Sequence, residues 1–352
     1  MTIALALTPL RGIRPAGRRA DGFTLIEMLT VLTILGILMG LSVGVFRRSS
    51  PTREVALNAI RGSLRQARLF AIAENTPASV RLDVPADGWP SVRATGRRMV
   101  GGWHLDDVTA DGWPEAGRGG GLAEEPHGYY GGRALAFSDS EPSFLDLGAA
   151  PAFDSPDGFA LECFLRVEAT RNQVIANKGR GFVLREEADG GLTAQVRVVG
   201  KNDRGEPADV FQSVTSAGPV LVPGRFTKVG VTFDGIELRI SGDDAAVAEL
   251  RLPARMAYSP DRAASLFFGD AEAPAAFTLD EVKWGIFAGD EQSLRDVTLA
   301  DGAQLIRFAP DGTLDPRFHP GPAEICLLTP ASDPEKPPLQ TWIRIGTLGD
   351  VH

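Results

Sequence analysis

The chain is poor in the residues from which most active sites are built. Its 352 residues include two cysteines, Cys163 and Cys326, and four histidines. So few histidines, with no close spacing among them, argue against a His-rich metal centre. Buried, unpaired thiols are the plain reading of the cysteines; a disulfide formed in an oxidising compartment is the alternative. No Ser/His/Asp or Cys/His constellation is apparent, nor the closely spaced carboxylates of a glycoside hydrolase strand. The expectation is therefore a protein that is not an enzyme. Basic residues are also outnumbered, 36 to 45. Without the first 22 residues, which hold Arg11, Arg14, Arg18, Arg19 and Asp21, 32 basic and 44 acidic residues remain. An acidic exterior repels phosphate backbones, so nucleic acid is not an expected partner. The terminal Gly-Asp-Val-His has no basic residue, which argues in the same direction.

What is abundant is glycine (40) and proline (25), a composition that favours a turn-rich β architecture. Long hydrophobic runs are absent with one exception. Residues 23–46, FTLIEMLTVLTILGILMGLSVGVF, are long enough to cross a bilayer core as a helix. A secretory signal would be shorter and would be followed by a small-x-small cleavage site, which is missing here. A plain membrane anchor accounts for everything but Glu27, because a carboxylate in the membrane is costly and usually marks function. Gly36, Gly40 and Gly44 recur every four residues on one helix face, where small side chains allow close helix approach; glycine is also simply common in such helices.

Gly22-Phe23-Thr24-Leu25-Ile26-Glu27 resembles the cleavage and methylation motif of type IV pilins and type II secretion pseudopilins. The resemblance implies cutting between Gly22 and Phe23 by a prepilin peptidase and N-methylation of Phe23. It also implies that Glu27 faces the α-amino group of a neighbouring Phe23 in a filament. Such pairing compensates a charge that would be strongly unfavourable alone in apolar surroundings. The implied partners are that peptidase, other pilins or pseudopilins, and the inner membrane. The implied location is a single-pass inner-membrane protein with a periplasmic C-terminal part, moving into a filament after processing.

Beyond the apolar run, Ser49-Ser50-Pro51 marks a helix restart. Ala56, Ile60, Leu64, Ala67 and Ala71 then fall at helical spacing. Asn75-Thr76-Pro77 stops that helix, and residues 78–84 alternate as a strand does. This stretch, with 304–313, 325–329 and 342–348, resembles the H-type minor pseudopilins (GspH-like): an α+β pilin fold of a long helix and a small antiparallel sheet.

Between about 97 and 290 the texture changes to short alternating runs separated by Gly, Asp and Pro, the pattern of an all-β sandwich. Residues 132–137 with 144–148, 159–167, 225–235 and 277–284 resemble, in order, segments of a concanavalin-like, laminin-G-type jelly roll, the first two as a hairpin. Trp103 to Asp106 is the expected opening strand. Asp234-Gly235 reads as a turn, and Asp280-Glu281 as a pair that fixes a loop through hydrogen bonds. Asp106, Asp107, Asp139 and Asp146 are hard oxygen donors of the kind calcium takes, but solvated loops use the same residues; no ligand is nominated and no cofactor is expected. The expected order is leader 1–22, membrane and filament helix 23–46, helical stalk and first strand 47–96, inserted jelly roll 97–290, and closing sheet strands 291–352. The expected function is a structural subunit whose sandwich head contacts protein or glycan; a pilus-displayed adhesin or carbohydrate-binding module is the alternative.

Overall fold

The computed structural model describes residues 51–86, 88–105, 122–201, 204–331 and 335–352. The helix Pro51–Glu74, which we call α1, begins with proline in its first turn, where no N–H is needed, and carries Glu54 near its positive end. Ala56, Leu57, Ile60, Leu64, Ala67 and Ala71 are buried, which is one face at 3.6-residue spacing. Asn75 takes a left-handed φ of 48° and the Thr76 N–H donates to the Ala71 carbonyl at 3.2 Å. That is a Schellman cap, and Pro77 prevents continuation.

The buried face of α1 lies on Val80, Leu82, Val92, Ala94, Ile306 and Phe308, and on Ile325, Leu327, Ile343 and Ile345. The first group comes from Ala78–Asp83, antiparallel to both Ser91–Trp103 and Gln304–Phe308. The second comes from a three-stranded sheet of Thr298–Leu299, Ala323–Thr329 and Leu339–Ile345. Among the described residues α1 is the one α-helix, and the fold is otherwise mostly β.

The strand Ser91–Trp103 continues past the helix-backed sheet. Its first half pairs with Ala78–Asp83, and its second half pairs with Thr278–Ala288, from Gly96 opposite Ala288 to Trp103 opposite Val282. Thr278–Ala288 in turn pairs with Phe159–Arg166, followed outward by Thr227–Phe233, Glu237–Gly242 and Ala245–Arg251. One hydrogen-bonded sheet therefore runs from beneath the helix into the sandwich. A second sheet, with Pro207–Thr215, Leu192–Lys201, Phe182–Glu186, Gln173–Lys178, Phe267–Pro274 and Pro142–Asp146 in order, faces it. The core between them includes Phe159, Phe182, Phe233, Tyr258 and Trp284, with Phe159 stacked on Trp284 at 5.0 Å. Cys163 is buried in this core and Cys326 is buried in the three-stranded sheet; both are free thiols.

Two local expectations are corrected. Ala134–Phe137 and Pro142–Asp146 do not form a hairpin: the first pairs with Thr278–Ala288 and the second with Phe267–Pro274, in opposite sheets. Residues 138–141 arch between the sheets, so Leu135 and Leu145 reach the same core from its two sides. Nor does a strand open at Trp103. The strand ends there, and Leu105 has a φ of 63°. The expected change of texture at residue 97 falls within a strand that serves both parts.

The two parts are also joined by a buried charge cluster. Arg307, 1% exposed, sits on Gln304–Phe308. Its Nη2 donates to Glu237 at 2.7 Å, Nη1 lies 2.7 Å from Asp234, and Nε lies 3.2 Å from Asp315. Arg317 adds contacts to Asp315, Glu237 and Glu249. The Phe318 ring lies under the Arg307 and Arg251 guanidinium groups at 4.6 and 3.8 Å. Asp234 and Glu237 belong to the turn between two sandwich strands, where Asp234 Oδ1 also accepts the Ile236 and Glu237 N–H groups. Removing one partner of a buried cluster strands the others, at a cost of roughly 3–5 kcal/mol. Arg307→Ala is expected to lower unfolding free energy by about that amount, as read by urea denaturation; a change near zero would mean the cluster does not join the two parts.

Candidate functional site

The residues singled out for processing and assembly, Gly22, Phe23, Glu27, Gly36, Gly40 and Gly44, lie outside the described residues, as do Asp106 and Asp107. Asp139 is exposed, and Asp146 accepts the Gly148 N–H at 2.7 Å, an ordinary turn contact. Among the described residues, no group of three or more His, Cys, Asp or Glu is placed to hold a metal ion.

Polar clefts on the described surface include the following three. One of about 450 Å³ lies between the end of α1, at Glu74 and Asn75, and Arg97, Glu162, Lys228 and Lys283 on the outer sandwich face. Arg97 is ion-paired with Glu162 there. A second, of about 460 Å³, is bordered by Gln173, Arg185, Glu186, Glu187 and Asp270. Its Glu186 is 1% exposed and accepts a hydrogen bond from Gln173, the residue directly across the strand pair. Burial pushes the Glu186 carboxyl above its ordinary value, and the bond from Gln173 only partly opposes this.

The third cleft, of about 280 Å³, includes Glu125, Ser138, Asp139, Arg166, Glu168 and Thr278. It adjoins an aromatic cluster that sequence reading did not single out. Tyr129 lies over Phe164 with centroids 3.8 Å apart and planes 23° from parallel. Tyr130 stands at 81° to Tyr129 and 4.7 Å from it. Phe226 meets the edge of Tyr129 at 6.2 Å, and the Arg166 guanidinium lies 5.1 Å over the Phe226 ring. Tyr129 is 46% and Tyr130 73% exposed, while Phe164 is buried beneath them.

The loop carrying these rings is fixed from below. The buried Asp280 carboxylate accepts the Tyr129 N–H at 2.7 Å and the Glu281 N–H at 2.8 Å. Asp280 thus has the loop-fixing role expected of it. The Gly128 N–H donates to the Gly132 carbonyl at 2.8 Å, and a side chain at Gly128 would press against the Arg133 carbonyl and Asp280. The available sequence signal was the run Gly-Tyr-Tyr-Gly-Gly at 128–132, holding two of the three tyrosines in the chain.

Residues 17–43 match the prokaryotic N-terminal methylation motif. The match takes in Gly22, Phe23, Glu27, Gly36 and Gly40. This type IV pilin-like motif implies processing by a prepilin peptidase and assembly with other pilins, and it fits a membrane-anchored stage before filament assembly. Among the described residues no helix is long and apolar enough to cross a membrane; the 23–46 run is outside them.

No curated protein matches the chain. Among solved structures, the binding domain of Paraclostridial mosquitocidal protein 1 is similar at 10% identity and a TM-score of 0.36, covering 59% of this chain and 48% of that one. The chain thus spans about half the length of that domain. Domain 4 of AbnA, a GH43 extracellular arabinanase from Geobacillus stearothermophilus in complex with arabinotriose, is similar at 12% identity and a TM-score of 0.39, covering 55% and 95%. The CBM40 of Ruminococcus gnavus IT-sialidase bound to α2,3-sialyllactose is similar at 12% and 0.32, covering 45% and 92%. Likeness at these scores says nothing of what this chain binds.

Glu186 gives a pH test. Its folded-state value is raised, so between the ordinary value of 4.5 and that raised value the native state holds more proton than the unfolded chain. Stability due to this group is therefore full at the acid end of the window and falls as pH rises through it. In Glu186→Gln the fall is expected to become shallower, with the raised Glu237 carboxyl contributing the same sign of dependence in both chains, measured as the urea midpoint from pH 4 to pH 8 against the parent chain; identical profiles would refute the assignment.

Proposed function

We propose that this chain is a minor pseudopilin of the H type (GspH-like), a non-catalytic subunit of a type II secretion pseudopilus or a type IV pilus-like filament. The observation that carries the reading is the methylation motif over residues 17–43. In this reading the leader 1–22 is removed after Gly22, Phe23 becomes the methylated N-terminus, and Glu27 pairs with the α-amino group of a neighbouring Phe23. Gly36, Gly40 and Gly44 let the apolar helices approach closely in the filament. The helix α1 on its small antiparallel sheet takes the part of the α+β pilin head, with the sandwich as an added module for contacts with secreted protein or glycan.

A second reading has the sandwich as the active part of the molecule, a pilus-displayed adhesin or carbohydrate-binding module. What favours it is the pair of exposed tyrosines on a sandwich loop anchored by Asp280, since a solvent-facing aromatic cluster commonly marks a contact surface.

The chain isolated from membranes of its own host is expected to begin with N-methyl-Phe23, read by N-terminal mass spectrometry. Glu27→Leu is expected to be cut normally yet to be lost from sheared filaments. A chain that retains residues 1–22, or is cut beyond Phe46, would remove the basis of the pseudopilin reading.

A further inference from the structure

The two tyrosines form a corner. Tyr129 lies flat on Phe164, and Tyr130 rises beside it almost at a right angle. Solvent-facing rings forgo the free energy of apolar burial, and the backbone holds them there. Asp280, itself 2% exposed, anchors the loop through the Tyr129 N–H, and Gly128 and Gly132 close its base. A partner meeting these rings need not order the loop first, which removes one of the main costs of binding.

The charges around the corner say what kind of partner fits. Arg166 is placed between Glu125 at 3.5 Å and Glu168 at 3.1 Å. Arg133 contacts Glu124 at 2.7 Å. Arg171 also lines the cleft, but Glu125, Asp139 and Glu168 outnumber Arg166 and Arg171 there, and this acidic excess repels added negative charge. A phosphate-bearing or acidic ligand is disfavoured. Stacked nucleobases would bring their phosphates and are disfavoured for the same reason. Beside the rings, the cleft of about 280 Å³ is lined by Glu125, Ser138, Asp139, Arg166, Glu168 and Thr278, which offer hydroxyl, carboxylate and guanidinium groups. Its volume is just below the usual range of ligand sites, about 300–1,000 Å³, so it would take a single ring.

A neutral pyranose meets both demands. Its axial C–H face is apolar and lies well on an aromatic ring, while its hydroxyls both donate and accept. We propose that Tyr129 and Tyr130, with the Glu125/Arg166 cleft beside them, bind a neutral oligosaccharide, one sugar stacked in the tyrosine corner and its neighbour hydrogen-bonded in the cleft. The proposal rests on the display-module reading and supplies its site and ligand class.

The test uses the full mature chain in detergent micelles. Cellotetraose, xylotetraose, mannotetraose and maltotetraose are titrated by calorimetry, with sialyllactose as the acidic sugar and a decaproline peptide as the competing aromatic-platform ligand. At least one neutral tetrasaccharide is expected to bind. Tyr130→Ala is expected to weaken that binding at least tenfold without lowering the melting temperature, because Tyr130 is mostly exposed. Phe211→Ala, an exposed aromatic on the opposite sheet, is expected to leave it unchanged. Silence across the neutral panel, binding of sialyllactose alone, decaproline binding that Tyr130→Ala abolishes, or sugar binding indifferent to Tyr130→Ala would each overturn the proposal. If these sugars fail while the chain still begins with N-methyl-Phe23, the sugar site falls and the pseudopilin reading stands.

Discussion

A guanidinium removed from water must be surrounded by anions and acceptors or it will not stay there. Arg307 meets that condition only where Asp234, Glu237 and Asp315 converge, and those carboxylates come from both sides of the molecule. Asp315 follows the arginine's own strand, whereas Asp234 and Glu237 form a turn of the sandwich. Neither part can keep its share of this cluster without the other. Burial raises the Glu237 carboxyl even with Arg307 and Arg317 beside it, while its hydrogen bonds to Arg317 keep Asp315 below its ordinary value despite burial. The same demand recurs at smaller scale where Asp157, nearly buried, is ion-paired with Arg93 and Arg255.

Backbone geometry enforces the junction as strictly as charge does. The Ser91–Trp103 strand changes partners near Gly96, and at that point chain segments press together. A side chain at Gly96 would meet the Phe70 ring of α1, and one at Gly289 would collide with the Ala94 carbonyl. Arg93 then donates through Nε to the Gly289 carbonyl at 2.9 Å. Residues 52–352 accordingly form one compact unit.

Much of this was legible along the chain because it is local. The buried face of α1, the Asn75 stop and the alternation of Ala78–Asp83 follow from period and capping chemistry, while Phe159–Arg166, Thr227–Phe233 and Thr278–Ala288, buried on both faces, are placed by their resemblance to jelly-roll segments. The methylation motif is likewise a matter of register within a few residues. What stayed hidden depends on partners far away in sequence. Alternation at Leu135 and Leu145 tells that both face a core, but not that they reach it from opposite sheets. Arg307, between Ile306 and Phe308, reads as the solvent side of an edge strand. Only the fold brings the Asp234-Gly235 turn over it. The two tyrosines were plain in the text of the chain, but Phe164 and Phe226, which give them a floor and an edge, come from distant strands.

The route by which the chain enters and leaves the sandwich separates what connectivity demands from what charge demands. Entry is by Ser91–Trp103 and departure by Thr278–Ala288, and these are adjacent antiparallel strands with Gly96 opposite Ala288. Seen from the helix-backed sheet, everything between them is the tip of one hairpin. Loop length costs little once the ends are neighbours, about 0.6 kcal/mol per doubling. Chain connectivity therefore asks little of the helix-backed sheet, whatever lies between the two strands. The doorway is permissive and the lock selective: a different head would fit the same pair of strands but leave the buried Arg307 without the anions of Asp234 and Glu237.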